Sequence, residues 1–176
     1  MGLTPTGRVF AAVVPPPEVV AALAHRLESV TLPGRPVPPA NWHITLRFIG
    51  HVEEVAYERW LATMDQAPAP APFDLALRGF GAFPRAARAT VFWTGVESAG
   101  LPRLAAVVDD SAETAGLGQE ERPFHPHLTL ARVRPPADVR PLVESDDGWK
   151  ARFTVAEYHV MAAVGSRYER YETFPL

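Results

Sequence analysis

The chain has 176 residues, is 47% hydrophobic and 21% charged, and carries a formal net charge of −3. That length buries a real core as one domain, and the negative balance argues against coating nucleic acid by bulk electrostatics, since backbone binding scales with the number of cationic contacts. The lack of cysteine excludes disulfides, zinc–thiolate sites and cysteine nucleophiles.

The opening Met-Gly-Leu-Thr-Pro-Thr fits a loose myristoylation pattern at Gly2, one that a bare terminus of small residues more commonly produces. Val9 to Val14 is too short for the core of a signal peptide, and no run approaches a membrane span. A cytoplasmic protein without a membrane partner, monomeric, is expected.

In chain order the pattern predicts a strand over 8–14, a helix over 17–30 with Pro17 at its start, a Pro-rich connection over 32–40, a strand over 41–49 and a helix over 53–64. Val19, Val20, Leu23 and Leu27 give the first helix its apolar stripe. Residues 67–72 alternate Ala and Pro and read as a connector. Strands over 73–80 and 90–96, a helix over 101–115 and a strand over 127–133 follow, then strands over 153–164 and 168–174. Val9-Phe10 before His43 matches Val91-Phe92 before His127, each with a helix between, so one strand–helix–strand unit is used twice. The expected fold is α+β and internally duplicated. Two antiparallel-rich sheets face a central cleft with helices outside, in one domain over 1–176 whose lobes are roughly 1–66 plus C-terminal segments and 73–134.

Each half contains one copy of a tetrapeptide, His43-Ile44-Thr45-Leu46 and His127-Leu128-Thr129-Leu130. Strand geometry sends alternate side chains to one face, so each copy is apolar behind and His/Thr in front. A lone His/Thr pair is more often a hydrogen-bonded structural feature than a catalyst; duplication reverses that balance. Two imidazoles with ordinary pKa values of about 6.5 can divide proton donation and acceptance. Threonine hydroxyls beside them complete an anion clamp suited to displacement at phosphorus without metal, which makes a small phosphodiester the natural substrate.

The contexts Asn41-Trp42-His43-Ile44-Thr45-Leu46-Arg47-Phe48-Ile49-Gly50 and Phe124-His125-Pro126-His127-Leu128-Thr129-Leu130-Ala131-Arg132 resemble those of the two-histidine (2H) phosphoesterases. The closer likeness is to the RNA 2′,3′-cyclic phosphodiesterase branch, historically called 2′-5′ RNA ligases, and it extends to the first strand and to Tyr168 through Leu176. The resemblance implies metal-independent hydrolysis of a 2′,3′-cyclic phosphate on RNA or a nucleotide to a 2′-phosphate. Reversible 2′-5′ ligation and cleavage of 2′-5′ linkages or another cyclic phosphate lie within its range; an alternative from a different class, a non-catalytic binder of RNA ends, is disfavoured by the presence of all four motif residues. It assigns His43 and His127 as the acid–base pair, Thr45 and Thr129 as donors to phosphate oxygens, and Arg132 as a phosphate or nucleotide contact. The sequence leaves open which histidine is the acid; His43 as acid and His127 as base is the starting expectation.

Strict alternation would put Arg132 on the face opposite Thr129, so the strand must end or bulge by Ala131 for the guanidinium to reach the cleft. Phe48 holds the equivalent place in the other copy and is expected to stack on a base. On a regular strand Arg47 shares the face of His43 and Thr45, adding positive potential or capping the edge. His125-Pro126-His127 could be a metal pair, but no carboxylate follows it, and Glu120-Glu121 read as a solvated loop, so no metal is expected. No Gly-rich phosphate loop is present and no cofactor is expected. His125 is expected at the cleft entrance, His25 and His51 in solvent, and His159 in a structural role. Arg85 and Arg88 read as a solvated loop or an extension of an RNA path.

Overall fold

The repeated strand–helix–strand unit organises the sheet. The computed structural model describes residues 3–145 and 147–176, so Met1 and Gly2, and with them the acylation pattern, lie outside the described residues. The elements are β1 (Arg8–Val13), α1 (Pro17–Leu27), β2 (Arg35–Pro36), β3 (Ile44–Gly50), α2 (Glu54–Gln66), β4 (Phe73–Phe83), β5 (Ala89–Glu97), α3 (Leu101–Thr114), β6 (His127–Ala137), α4 (Arg140–Glu144), β7 (Lys150–Val155), β8 (Glu157–Val164) and β9 (Arg167–Pro175). The strand order is β7-β4-β5-β6-β3-β1-β8-β9, with β2 on the side of β6, and the pairings are antiparallel. Read outward from the β6/β3 junction, β6-β5-β4 in one half mirrors β3-β1-β8 in the other.

The two sheets expected from the repeat are thus joined edge to edge. The junction is a single ladder pair, Ile44 with Leu128, both fully buried. The stretch 153–164, expected as one strand, is two: β7 extends the 73–134 half beside β4, while β8 and β9 extend the other half beside β1. Only Ala156 separates β7 from β8, so the sheet must curl until these remote strands meet; the Leu176 amide closes the spot by donating to the Ala156 carbonyl at 2.9 Å.

The helix-covered face carries one continuous core, with Leu23, Trp60, Leu104 and Val108 of the helices against Ile44, Leu77, Phe92 and Leu128 of the strands. In α3 the buried Leu101, Leu104, Ala105, Val108 and Ala112 recur at helical spacing, with Pro102 at the favoured start. α1 stops three residues short of the expected Val30 because its last turn tightens: Glu28 donates to His25 and Val30 to Leu27. The second His-bearing strand begins at His127 as expected, but β3 begins at Ile44, after a short 3-10 turn over Pro39–Asn41.

Candidate active site

In an antiparallel pair, residues directly opposite one another share a face. Continuing the Ile44–Leu128 register by one residue each way sets His43 opposite Thr129 and Thr45 opposite His127. The two motifs are therefore related by a two-fold axis through their shared apolar pair, and all four polar side chains lie on the open face. Both histidines, both threonines and Arg132 line one cavity of about 290 Å³.

Arg132 reaches that cavity because β6 bulges. Trp93 pairs with Thr129 while Phe92 pairs with Ala131, so Leu130 is the extra residue, and Leu130 and Ala131 are both buried. β3 does the same: Ala12 pairs with Thr45 and Ala11 with Arg47, leaving Leu46 extra. A bulge resets the alternation, so Phe48 and Arg132 return to the face of the threonines. The bulge also corrects an expectation. Arg47 turns away from the cleft and is 7% exposed, with its guanidinium on Asp109 (3.1 Å), Glu120 (3.3 Å) and the Gly118 carbonyl (2.9 Å). Glu120, 30% exposed on an irregular segment, is consequently tied to the protein, while Glu121 beside it is exposed. The equivalence of the halves also shifts by one residue: Phe10 opposite Phe48 corresponds to Val91 opposite Arg132. A one-residue slip exchanges faces, which is why Phe10 lies beside the cleft while Phe92 is in the core.

Each imidazole is held from behind in the same way. His43 Nδ1 donates to the Asn41 carbonyl at 2.8 Å, and His127 Nδ1 to the His125 carbonyl at 2.7 Å. A carbonyl only accepts, so each neutral ring carries its proton on Nδ1 and leaves Nε2 free to take one. The ring environments differ. His43 packs on Phe10 (4.8 Å) and edge-on to Tyr168 (5.0 Å), and the Asn41 side chain pins the turn before Tyr168 by bonding Ser166 O and Tyr168 N. His127 meets Phe83 edge-on at 4.8 Å and Trp93 at 6.0 Å, with His125 against the same two aromatics. Burial pulls the His43 pKa down to about 4, opposed by the bond to Asn41 and reinforced by His127 and Arg132. His127 is lowered by burial, raised by its bond to His125, and lowered by the charges of His125 and Arg132. Both shifts favour the neutral ring in the free protein.

The Thr45 and Thr129 hydroxyls have no protein hydrogen-bond partner among the described residues, whereas Thr63, Thr90 and Thr94 all donate to carbonyls. Arg132 likewise has no carboxylate partner there. A second cavity of about 650 Å³ adjoins the first, sharing Thr45, Phe83, Arg122 and His127, and it is this one that Phe48, 45% exposed, and His125 line. Reading by sequence missed Tyr168, Phe83 and Trp93 as ring supports and Arg122 as a cleft residue. The aromatics follow from the pairing register; Arg122, on an irregular segment, left no signal. Outside the site, His25 and His51 are exposed, and His159 is buried with Nδ1 2.9 Å from Thr173 Oγ1. Arg85 and Arg88 are exposed. Among the described residues no group of three His, Asp or Glu side chains is placed to hold a metal ion, and no helix is long and apolar enough to cross a membrane.

The sequence profile of the family described as LigT like phosphoesterase matches residues 13–93 and 96–167. An RNA 2′,3′-cyclic phosphodiesterase of Thermus thermophilus is 39% identical over 147 residues, 77% of this chain and 73% of the relative. Another, of Aeropyrum pernix, is 37% identical over 134 residues, 72% of this chain and 74% of the relative. The crystal structure of Escherichia coli LigT complexed with 3′-AMP superposes with a TM-score of 0.78 at 29% identity, covering 97% of this chain and 98% of that one. With the profile spanning both motif-bearing halves, the chain belongs to the LigT-like phosphoesterases, the two-histidine family that its paired motifs resemble.

Proposed function

We propose that the protein is a metal-independent RNA 2′,3′-cyclic phosphodiesterase, a single-domain cytoplasmic monomer with one His-Thr pair in each lobe, acting on the cyclic phosphate end of RNA or on a cyclic nucleotide. One observation carries this reading: two Nδ1-anchored imidazoles and two unengaged threonine hydroxyls stand around one cavity in two-fold relation. The substrate class is supported by the relatives' names and by LigT's complex with 3′-AMP.

In the proposed reaction the phosphate sits between the strands, its non-bridging oxygens taking hydrogen bonds from Thr45 and Thr129 and charge from Arg132. Water attacks phosphorus in line with the 3′ oxygen and gives its proton to His127 Nε2. The P–O3′ bond breaks, and His43 Nε2 donates its proton to O3′, leaving a 2′-phosphate and a 3′ hydroxyl. His127 suits the base role because it lines both cavities and so meets water, while His43 lines only the smaller one. His43 suits the acid role because its aromatic surroundings are poorly screened, so a bound phosphate anion strongly favours its imidazolium form there. Phe48 stacks on the terminal base.

The direct test is incubation with a 2′,3′-cyclic mononucleotide in excess chelator and identification of the product isomer. Undiminished turnover to the 2′-phosphate is expected; a 3′-phosphate product, or loss of turnover with chelator, would overturn the reading. The pH dependence supplies an independent check. kcat/KM needs a neutral base and a protonated acid in the free enzyme, and burial holds both histidines below 6.5, His43 at about 4. Its bell should centre on the acid side of neutrality, and the kcat bell should lie higher because the bound anion raises both pKa values. A kcat/KM still climbing above pH 8 is incompatible with this pair.

A further inference from the structure

We infer that the larger cavity beside the cleft seats the penultimate nucleotide next to the terminal base on Phe48, so that the preferred substrate is the end of an RNA strand and not a free cyclic mononucleotide. The inference rests on the phosphodiesterase reading and extends it to substrate length. At about 650 Å³ the cavity falls well within the range of about 300–1,000 Å³ that holds a complete drug-sized ligand, more room than one stacked base needs.

Its aromatic content points to a second base. Among the described residues the exposed large hydrophobics are Leu3, Phe48, Val55 and Phe124, and two of the four, Phe48 at 45% and Phe124 at 37%, line this one cavity. Singly exposed apolar residues are ordinary, but two phenylalanines on one hollow form a sequence-tolerant stacking platform. The α3 side of the hollow is made of Pro102, Ala105 and Ala106, short side chains that leave room for planar rings.

A phosphate contact stands between the subsites. Arg122 lines both cavities, with its Nε 3.2 Å from one Glu120 oxygen and one terminal nitrogen 3.5 Å from the other. Glu120 in turn is held by buried Arg47 at 3.3 Å, so the guanidinium has a fixed footing although its side chain is 81% exposed. The other terminal nitrogen has no protein partner among the described residues and can meet the phosphate that links the last two nucleotides.

The test compares kcat/KM for a dinucleotide ending in a 2′,3′-cyclic phosphate with that for the corresponding cyclic mononucleotide, in the wild type, Phe124→Ala and Phe124→Trp. Stacking of one base predicts a dinucleotide preference of about tenfold in the wild type, falling toward one in Phe124→Ala and retained in Phe124→Trp. A wild-type ratio of one overturns the inference, as does a ratio that Phe124→Ala leaves in place by lowering both activities equally. Failure of both substrates to turn over would instead sink the phosphodiesterase reading itself.

Discussion

Replacing His43 or His127 with alanine should lower kcat on a 2′,3′-cyclic nucleotide by about 10²–10⁴, the range expected when a positioned proton donor or acceptor is lost. The two variants should then separate on a substrate whose 3′ oxygen is replaced by sulfur. A thiol ionises at about 8.5, so the leaving thiolate does not need a proton in the transition state. His43→Ala should recover most of its deficit on the sulfur substrate, because the step it has lost is no longer required. His127→Ala should stay slow, because water must still be deprotonated. Recovery in His127→Ala alone would exchange the two roles while leaving the pair intact. Equal deficits on both substrates would mean that neither histidine protonates the leaving group.

Thr45→Val and Thr129→Val should each reduce kcat by about 10²–10³, the cost of removing one pre-positioned donor to developing charge on oxygen. Valine keeps the branched shape of threonine, and neither hydroxyl bonds to protein among the described residues, so these substitutions delete a contact to substrate and no internal one. Each should also weaken competitive inhibition by inorganic phosphate. The double variant should lose less than the product of the single effects, because both hydroxyls hold the same phosphate. A fall in kcat with unchanged phosphate inhibition would place the threonines in ring positioning and not in anion binding.

Much of this site is legible in the sequence because period-two alternation and a repeated tetrapeptide together specify a face. His43, Thr45, His127 and Thr129 needed nothing more. Arg132 and Phe48 were legible only conditionally: if the strand bulged they belonged to the cleft, and the bulge is a matter of register against β1 and β5 that no single strand reveals. Arg47 was misplaced for the same reason, since one inserted residue carries it from the open face to the α3 side. The slip between Phe10 and Phe92 arose because both strands read Val-Phe, and pairing, not composition, decides which phenylalanine faces the cleft. Arg122 and Phe124 lie on an irregular segment without periodicity, so their approach to the site is purely tertiary. The division of 153–164 at Ala156 was hidden by an uninterrupted strand-like composition across two strands that pair at remote places in the sheet.

The single Ile44–Leu128 rung has a consequence for the direction of the chemistry. With the phosphate on its two-fold axis, the entering and leaving oxygens each face one imidazole and one hydroxyl. A 2′-5′ joining reaction, with a 5′ hydroxyl in the place of water and O3′ again leaving, would use the same groups in the same roles, and by microscopic reversibility cleavage of a 2′-5′ linkage would use them with donor and acceptor exchanged. The catalytic centre therefore has no arrow of its own. Preference for breaking or making the bond must come from outside the symmetric core, from whatever the Phe48 and Arg132 sides retain and from water outcompeting a nucleoside hydroxyl for the place in line with phosphorus.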